Sequence, residues 1–164
     1  MTGRYVVMGV SGCGKSHIGA AFAAAIGGNF IDGDDLHPKA NIAKMSRGEP
    51  LSDTDRAPWL DQVGRVLEPD TVIACSALKR SYRDRIRLGA AAPVVFLFLS
   101  ADRDLLLDRM SNRPGHFMPP SLLDSQLATL EPPMADELHV VADIKNTPEH
   151  MVERLVAGAK ELTS

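Results

Sequence analysis

Gly9-Val10-Ser11-Gly12-Cys13-Gly14-Lys15-Ser16 fits the pattern GxxxxGK(S/T) at every fixed position, and its residue types define a chemistry. Backbone N–H groups approach phosphate oxygens closely only where side chains stand aside, and a helix N-terminus adds partial positive charge. Lys15 would then reach the β- and γ-phosphates of a nucleotide, while Ser16 would offer its hydroxyl to Mg²⁺. Gly9, Ser11, Gly12, Cys13, Gly14, Lys15, Ser16 and His17 are therefore the candidate residues for binding ATP. Such a loop does not by itself choose between a switch, a motor and a kinase. Asp61-Gln62-Val63-Gly64 matches the DxxG of GTPases, but it falls inside an expected helix and no NKxD accompanies it, so the match is accidental. The third expected strand, Thr71 to Cys75, ends without the acid of a Walker B element. Asp32, at the end of the second expected strand, is the candidate second metal ligand beside Ser16.

The acceptor side is read from three further groups. Asp32-Gly33-Asp34-Asp35-Leu36-His37 follows a strand, where open α/β sheets place their ligands. Asp34 is the candidate proton acceptor and orienter of a substrate hydroxyl, and His37 a hydrogen-bonding partner for a polyol. Lys79, Arg83 and Arg87 are spaced i, i+4, i+8, so on a helix they share a face, where like charges repel and an anion would relieve the strain. Arg109, Arg113 and His116 straddle a Pro- and Gly-rich segment that could close over the nucleotide. The two arginines are candidates for stabilising a transferring phosphoryl group, and His116 is a candidate substrate contact. Trp59 reads as a packing anchor, Cys75 as a buried thiol and Cys13 as a neutral spacer, with a redox role for Cys13 as the alternative. Lys145-Asn146-Thr147-Pro148 is the positional candidate for contact with adenine.

Elements that could hold these groups alternate along the chain. Short β-branched runs at Tyr5 to Met8, Asn29 to Asp32, Thr71 to Cys75, Pro93 to Leu99 and His139 to Ala142 read as strands. Helices are expected over Lys15 to Ile26, from Pro38 through Met45, and from Asp53 to about Leu67 behind a Ser52 capping box. Four more are expected over Lys79 to Leu88, Asp102 to Ser111, Ser121 to Leu130 and Pro148 to Leu162. That order predicts a parallel sheet with helices on both faces. The 164 residues suit one domain, 1–164, with a lid at about 109–120. A net charge of −3, from 18 Lys plus Arg against 21 Asp plus Glu, argues against a dedicated nucleic-acid binder. No apolar run approaches the roughly 20 residues that span a bilayer, and no signal-peptide core follows Met1, so a cytoplasmic location is expected.

Taken together, these motifs resemble the gluconokinases of the small P-loop type, relatives of the shikimate and nucleoside monophosphate kinases. The likeness covers nearly the whole chain, through the phosphate loop, Asp32-Gly33-Asp34-Asp35-Leu36-His37-Pro38, Asn41 to Met45, Gly48 to Leu51, Asp55-Arg56, Pro58-Trp59-Leu60, Cys75-Ser76-Ala77-Leu78-Lys79, Tyr82-Arg83-Asp84 and Gly115-His116-Phe117. The resemblance implies a P-loop NTPase fold with a five-stranded parallel sheet and a mobile lid. It also implies ATP-dependent conversion of D-gluconate to 6-phospho-D-gluconate with Mg²⁺, and a homodimer. By the same resemblance Asp34, His37, Lys79, Arg83 and Arg87 face the sugar acid, and Arg109 and Arg113 lie on the nucleotide side. Asp35 departs from the family, where an apolar residue is common. Two rival readings are a kinase for another small hydroxy acid and a nucleotide-binding regulatory module without an acceptor.

Overall fold

The computed structural model describes residues 3–111 and 120–163. Five strands, β1 (Tyr5–Met8), β2 (Asn29–Asp32), β3 (Thr71–Ala74), β4 (Val95–Ser100) and β5 (His139–Asp143), form one parallel sheet in the order β2-β3-β1-β4-β5. Seven helices accompany them among the described residues: α1 (Lys15–Ile26), α2 (Lys39–Ser46), α3 (Asp53–Arg65), α4 (Arg80–Ala90), α5 (Arg103–Ser111), α6 (Pro120–Thr129) and α7 (Pro148–Thr163). None of the described helices is long and apolar enough to cross a membrane.

Side-chain alternation along the strands divides the core in two. Tyr5, Val7, Val95, Leu97 and Leu99 face one side and pack with Ile18 and Phe22 of α1, Leu106 of α5, Leu123 of α6 and Leu155 of α7. Val6, Met8, Ile73, Phe96 and Phe98 face the other, against Trp59, Leu60 and Val63 of α3 and Ile86 of α4. Because β1 lies centrally and both faces are covered, its run is apolar at every position, as a doubly buried parallel strand requires.

The expected limits of β1, β2 and α1 are met residue for residue, and the Ser52 capping box forms, with Ser52 Oγ accepting from the Asp55 N–H and the Asp55 carboxylate accepting from the Ser52 N–H. Elsewhere the ends move by a residue or two. β4 begins at Val95 rather than Pro93, since a proline nitrogen has no proton for the ladder. Lys79 and Pro38 lie in extended backbone just ahead of α4 and α2 rather than inside them.

Asp61 and Gly64, the accidental DxxG pair, have structural work inside α3. Asp61 holds Arg85 of α4 at 2.7 and 3.1 Å. A Cβ on Gly64 would come within 2.5 Å of the Ile86 carbonyl oxygen, and one on Gly89 within 2.9 Å of the Asp61 carbonyl oxygen. The two helices thus touch backbone to backbone. Gly64→Ala is expected to lower stability by about 1–3 kcal/mol despite alanine's better helix propensity, because the opposing atom is main chain and cannot turn aside. Urea unfolding at pH 7 measures this, and unchanged or raised stability would refute the tight crossing.

Candidate active site

The carboxyl ends of β1, β2 and β3 bring the two predicted halves of the site together. After β1 the chain bends through Gly9, Gly12 and Gly14, at φ 150°, 85° and 91°, before entering α1. Gly14 caps that helix with no side-chain hydrogen bond, and no acidic residue occupies its first turn. A side chain on Gly14 would meet nothing within 4 Å, so its Cα faces open space. The first amides of α1 are thereby left for an anion. Lys15 folds back over this bend, its Nζ donating to the Val10 carbonyl at 3.1 Å.

Beside the loop lies a cavity of about 360 Å³, walled by Gly12, Gly14 and His17 on one side and by Arg109, Ile144, Asn146 and Pro148 on the other. Arg109 is pinned there by a bond from its guanidinium to the Ile144 carbonyl. The structure therefore brings together Gly12, Gly14, His17 and Arg109 with Asn146 and Pro148 of the adenine candidate stretch. Cys13 is buried, and burial pushes its thiol above the usual range, which keeps it protonated and favours the neutral-spacer reading. Cys75 is likewise buried and pushed up to about 12. Arg113, His116 and most of the expected lid lie outside the described residues.

Ser16 Oγ donates to Asp32 Oδ2 at 3.3 Å, and Asp32 Oδ1 accepts the Asp34 N–H at 3.0 Å. Asp32 so caps a 3₁₀ turn, Gly33–Leu36, that leaves the Asp34 side chain exposed beside the loop. Trp59 anchors this turn from beneath: its indole N–H donates to the Gly33 carbonyl at 2.8 Å, and the ring stacks on His37 at 4.0 Å between centroids. Asn41 bonds both His37 Nδ1, at 3.2 Å, and the Asp55 carbonyl. Burial lowers the His37 pKa, Asp34 opposes that shift and Arg56 adds to it, so the ring favours its neutral form. The Asn41 amide nitrogen can only donate, so Nδ1 accepts and the proton of the neutral ring sits on Nε2.

Around Lys79 the expectation needs correction. Lys79 stands at the site edge, 3.3 Å from Asp53 and over the Tyr82 ring. Arg83 and Arg87 do not share its environment. α4 runs back from the edge, and the rise of 1.5 Å per residue carries them about 6 and 12 Å away from Lys79. Arg83 is fully buried, bonding Glu137 at 2.8 and 3.2 Å and the Ala77 carbonyl at 2.8 Å. Arg87 bonds the same Glu137 at 2.9 Å and Asp84 at 2.7 Å, and lies over Phe96 near the opposite end of β4. These two arginines hold a carboxylate of the chain itself. Through Ala77, a non-glycine residue at φ 45°, Arg83 also shapes the turn that delivers Lys79.

Two residues of this region escaped the sequence reading as site candidates. Glu137 lies 54 residues from Arg83, and no spacing rule links them. Arg56 appeared only within a family motif. Its Nη1 donates to the Leu51 carbonyl at 2.7 Å and reaches Tyr82 Oη at 3.5 Å, and it acts electrostatically on His37. Its signal was the capping box, which places Arg56 in the first turn of a helix facing the Asp-rich turn.

Burial alone would push the Glu137 carboxyl up, but bonds from Arg83, the Met134 N–H and Arg87 outweigh it and hold the group at about 2. A depressed carboxylate pKa gives stability that is present above the ordinary value and is lost as pH falls through the folded one. Glu137→Gln should cost about 3–5 kcal/mol at pH 7, since it strands buried Arg83. The gap between wild type and variant should close as pH falls from about 4.5 toward about 2. Urea titrations of both proteins across that range check this, and a pH-independent gap would refute it.

Comparison with known proteins places the chain in a family. The family profile described as "AAA domain" matches residues 5–133. The thermosensitive gluconokinase of Escherichia coli K12 is 46% identical, over 93% of this chain and 87% of that protein. The crystal structure of a gluconokinase from Sinorhizobium meliloti 1021 superposes with a TM-score of 0.89 at 49% identity, over 98% of this chain and 93% of the other. A shikimate kinase from Bacteroides thetaiotaomicron, at 16% identity and a TM-score of 0.69, shares the fold. At this identity and coverage, the chain belongs to the gluconokinase family.

Proposed function

We propose that the protein transfers the terminal phosphoryl group of ATP to D-gluconate, giving ADP and 6-phospho-D-gluconate. The observation that carries this reading is the meeting at one sheet edge of the phosphate loop and the Asp32–His37 turn, with Ser16 Oγ 3.3 Å from Asp32 Oδ2. In this reading the nucleotide base enters the cavity between His17, Arg109 and Pro148, and the phosphates lie along the uncapped start of α1. Lys15 keeps its bond to the Val10 carbonyl and turns its other ammonium protons toward phosphate oxygens.

The residues present fit a magnesium ion. The Ser16 hydroxyl and the Asp32 carboxylate are both hard oxygen donors and stand together, 3.3 Å apart, where they would hold such an ion. Among the described residues no group of three or more His, Cys, Asp or Glu side chains could cage a metal, which suits an ion completed by phosphates and water. Mg²⁺ held by Ser16 and Asp32 would neutralise charge building on the β- and γ-phosphates.

Asp34 takes the proton of the terminal hydroxyl of gluconate as the new O–P bond forms and the bond to ADP breaks. His37 Nε2 donates to a sugar hydroxyl. With Arg83 and Arg87 held by buried Glu137, the carboxylate of gluconate displaces the exposed Asp53 from Arg56 and Lys79 at the mouth. The same reading has the enzyme acting as a cytoplasmic homodimer, a state that light scattering would reveal and a monomer mass would refute.

A panel of sugar acids and shikimate, assayed for ADP release, tests the substrate. Stimulation by gluconate is expected. Preference for another acid would move the substrate, and none by any acceptor would leave a nucleotide-binding module. Asp34→Asn should lower kcat by about 10²-fold or more with ATP affinity retained, and wild-type turnover would remove Asp34 from the chemistry. Arg56→Ala should raise KM for gluconate about tenfold with little change in KM for ATP, and an unchanged value would return the anion contact to other cations.

A further inference from the structure

One side chain touches the phosphate loop from far along the sequence. Gln126 of α6 contacts Ser11 twice: the Ser11 N–H donates to Gln126 Oε1 at 2.7 Å, and Gln126 Nε2 donates to Ser11 Oγ at 2.9 Å. The glutamine is half-buried on a helix that is itself tied down. Leu123 is fully buried in the core, and Arg103 of α5 holds Asp124 at 2.6 and 3.2 Å. Just past α6, the Glu131 N–H donates to the Leu78 carbonyl at 2.7 Å and the Glu131 carboxylate accepts from the Arg80 N–H at 2.9 Å. Leu78 and Arg80 flank Lys79. One element therefore connects the turn that carries Lys79, on the acceptor side, to the third residue of the phosphate loop.

At Ser11 this matters for Lys15. The Lys15 ammonium rests on the carbonyl of Val10, the residue next to the clamp. A side chain takes the Ser11 N–H, so Ser11 anchors the loop's first bend. Two bonds from one carboxamide fix both its main chain and its hydroxyl.

We propose that Gln126 is a positioning residue for phosphoryl transfer: its clamp on Ser11 sets the Val10–Gly12 bend and, through it, the place of the Lys15 ammonium. The assignment rests on the kinase reading above. Nucleotide affinity rests on the later amides of the loop and the uncapped start of α1, beyond the clamped bend, whereas transfer depends on where the charge stands when the γ-phosphoryl group moves.

The test is Gln126→Ala, with steady-state kinetics on gluconate and calorimetric titration with a non-hydrolysable ATP analogue. The expected result is a kcat lowered about tenfold or more, with analogue affinity within about threefold of wild type. Ser11→Ala removes half of the same clamp, so the double variant should be no slower than Gln126→Ala alone. Gln126→Asn, one methylene shorter, breaks the clamp too and serves if the alanine variant proves unstable. A wild-type kcat in these variants, a matching loss of analogue affinity, or effects that multiply in the double variant would overturn the assignment. Wild-type protein that binds the analogue yet releases no ADP when given ATP and gluconate would overturn the kinase reading, and the positioning role with it.

Discussion

The unpaired amides at the start of α1 are the constraint around which the molecule is arranged. Every helix leaves its first N–H groups without partners inside the helix, and most sequences supply a Ser, Thr, Asp or Asn to answer them. Here the position is Gly14, with no side-chain cap and no acid in the following turn. Such an end is stable only where solvent or an anion reaches it, so it must lie at an open edge. The parallel sheet provides that edge, because each strand finishes on the same side, and α1, α4, α5 and α7 follow directly from strand ends. β1, buried on both faces, holds the loop at the middle of the sheet, while β2 and β3 deliver the acidic turn and the Lys79 turn beside it.

How much of this was legible follows from the range of each interaction. The fold and the phosphate loop are encoded by neighbours: alternation in β1, an Ala-rich run ending at Gly27, Ser52 three residues before Asp55. Those elements were readable to within a residue or two. The Asp32–His37 turn was also readable, because strand end, glycine and acids lie within six positions. The Lys79–Arg83–Arg87 face was not. Helical spacing describes which residues are aligned, and says nothing about what the aligned face meets. Its two arginines meet Glu137, from a loop between α6 and β5, and a buried acid can answer them as fully as a ligand anion can. A shared carboxylate at the end of a long connection leaves no periodic trace. The Gln126 contact, 115 residues from its partner, is invisible for the same reason.

Burial also sorts groups that look alike in sequence. Arg56 and Arg83 are both arginines near the turn of a helix toward the site. The first keeps part of its side chain exposed, while the second has no exposed surface and two of its bonds fall on one carboxylate. Removing charge from the interior is costly unless the partner is close and its remaining valences are filled. Glu137 meets that condition with Arg83, Arg87 and the Met134 amide, and so anchors the 131–138 connection to α4.

The glycine crossing of α3 and α4 has a mechanical meaning for the acceptor pocket. Arg56 and Trp59 ride on α3, Tyr82 rides on α4, and Lys79 stands at its head. Where two helices interlock main chain to main chain, neither can slide or roll without the other. The wall built from these side chains must therefore travel as one stiff plate, and any closure around a sugar acid would hinge at the loops joining that plate to the sheet rather than between its two helices.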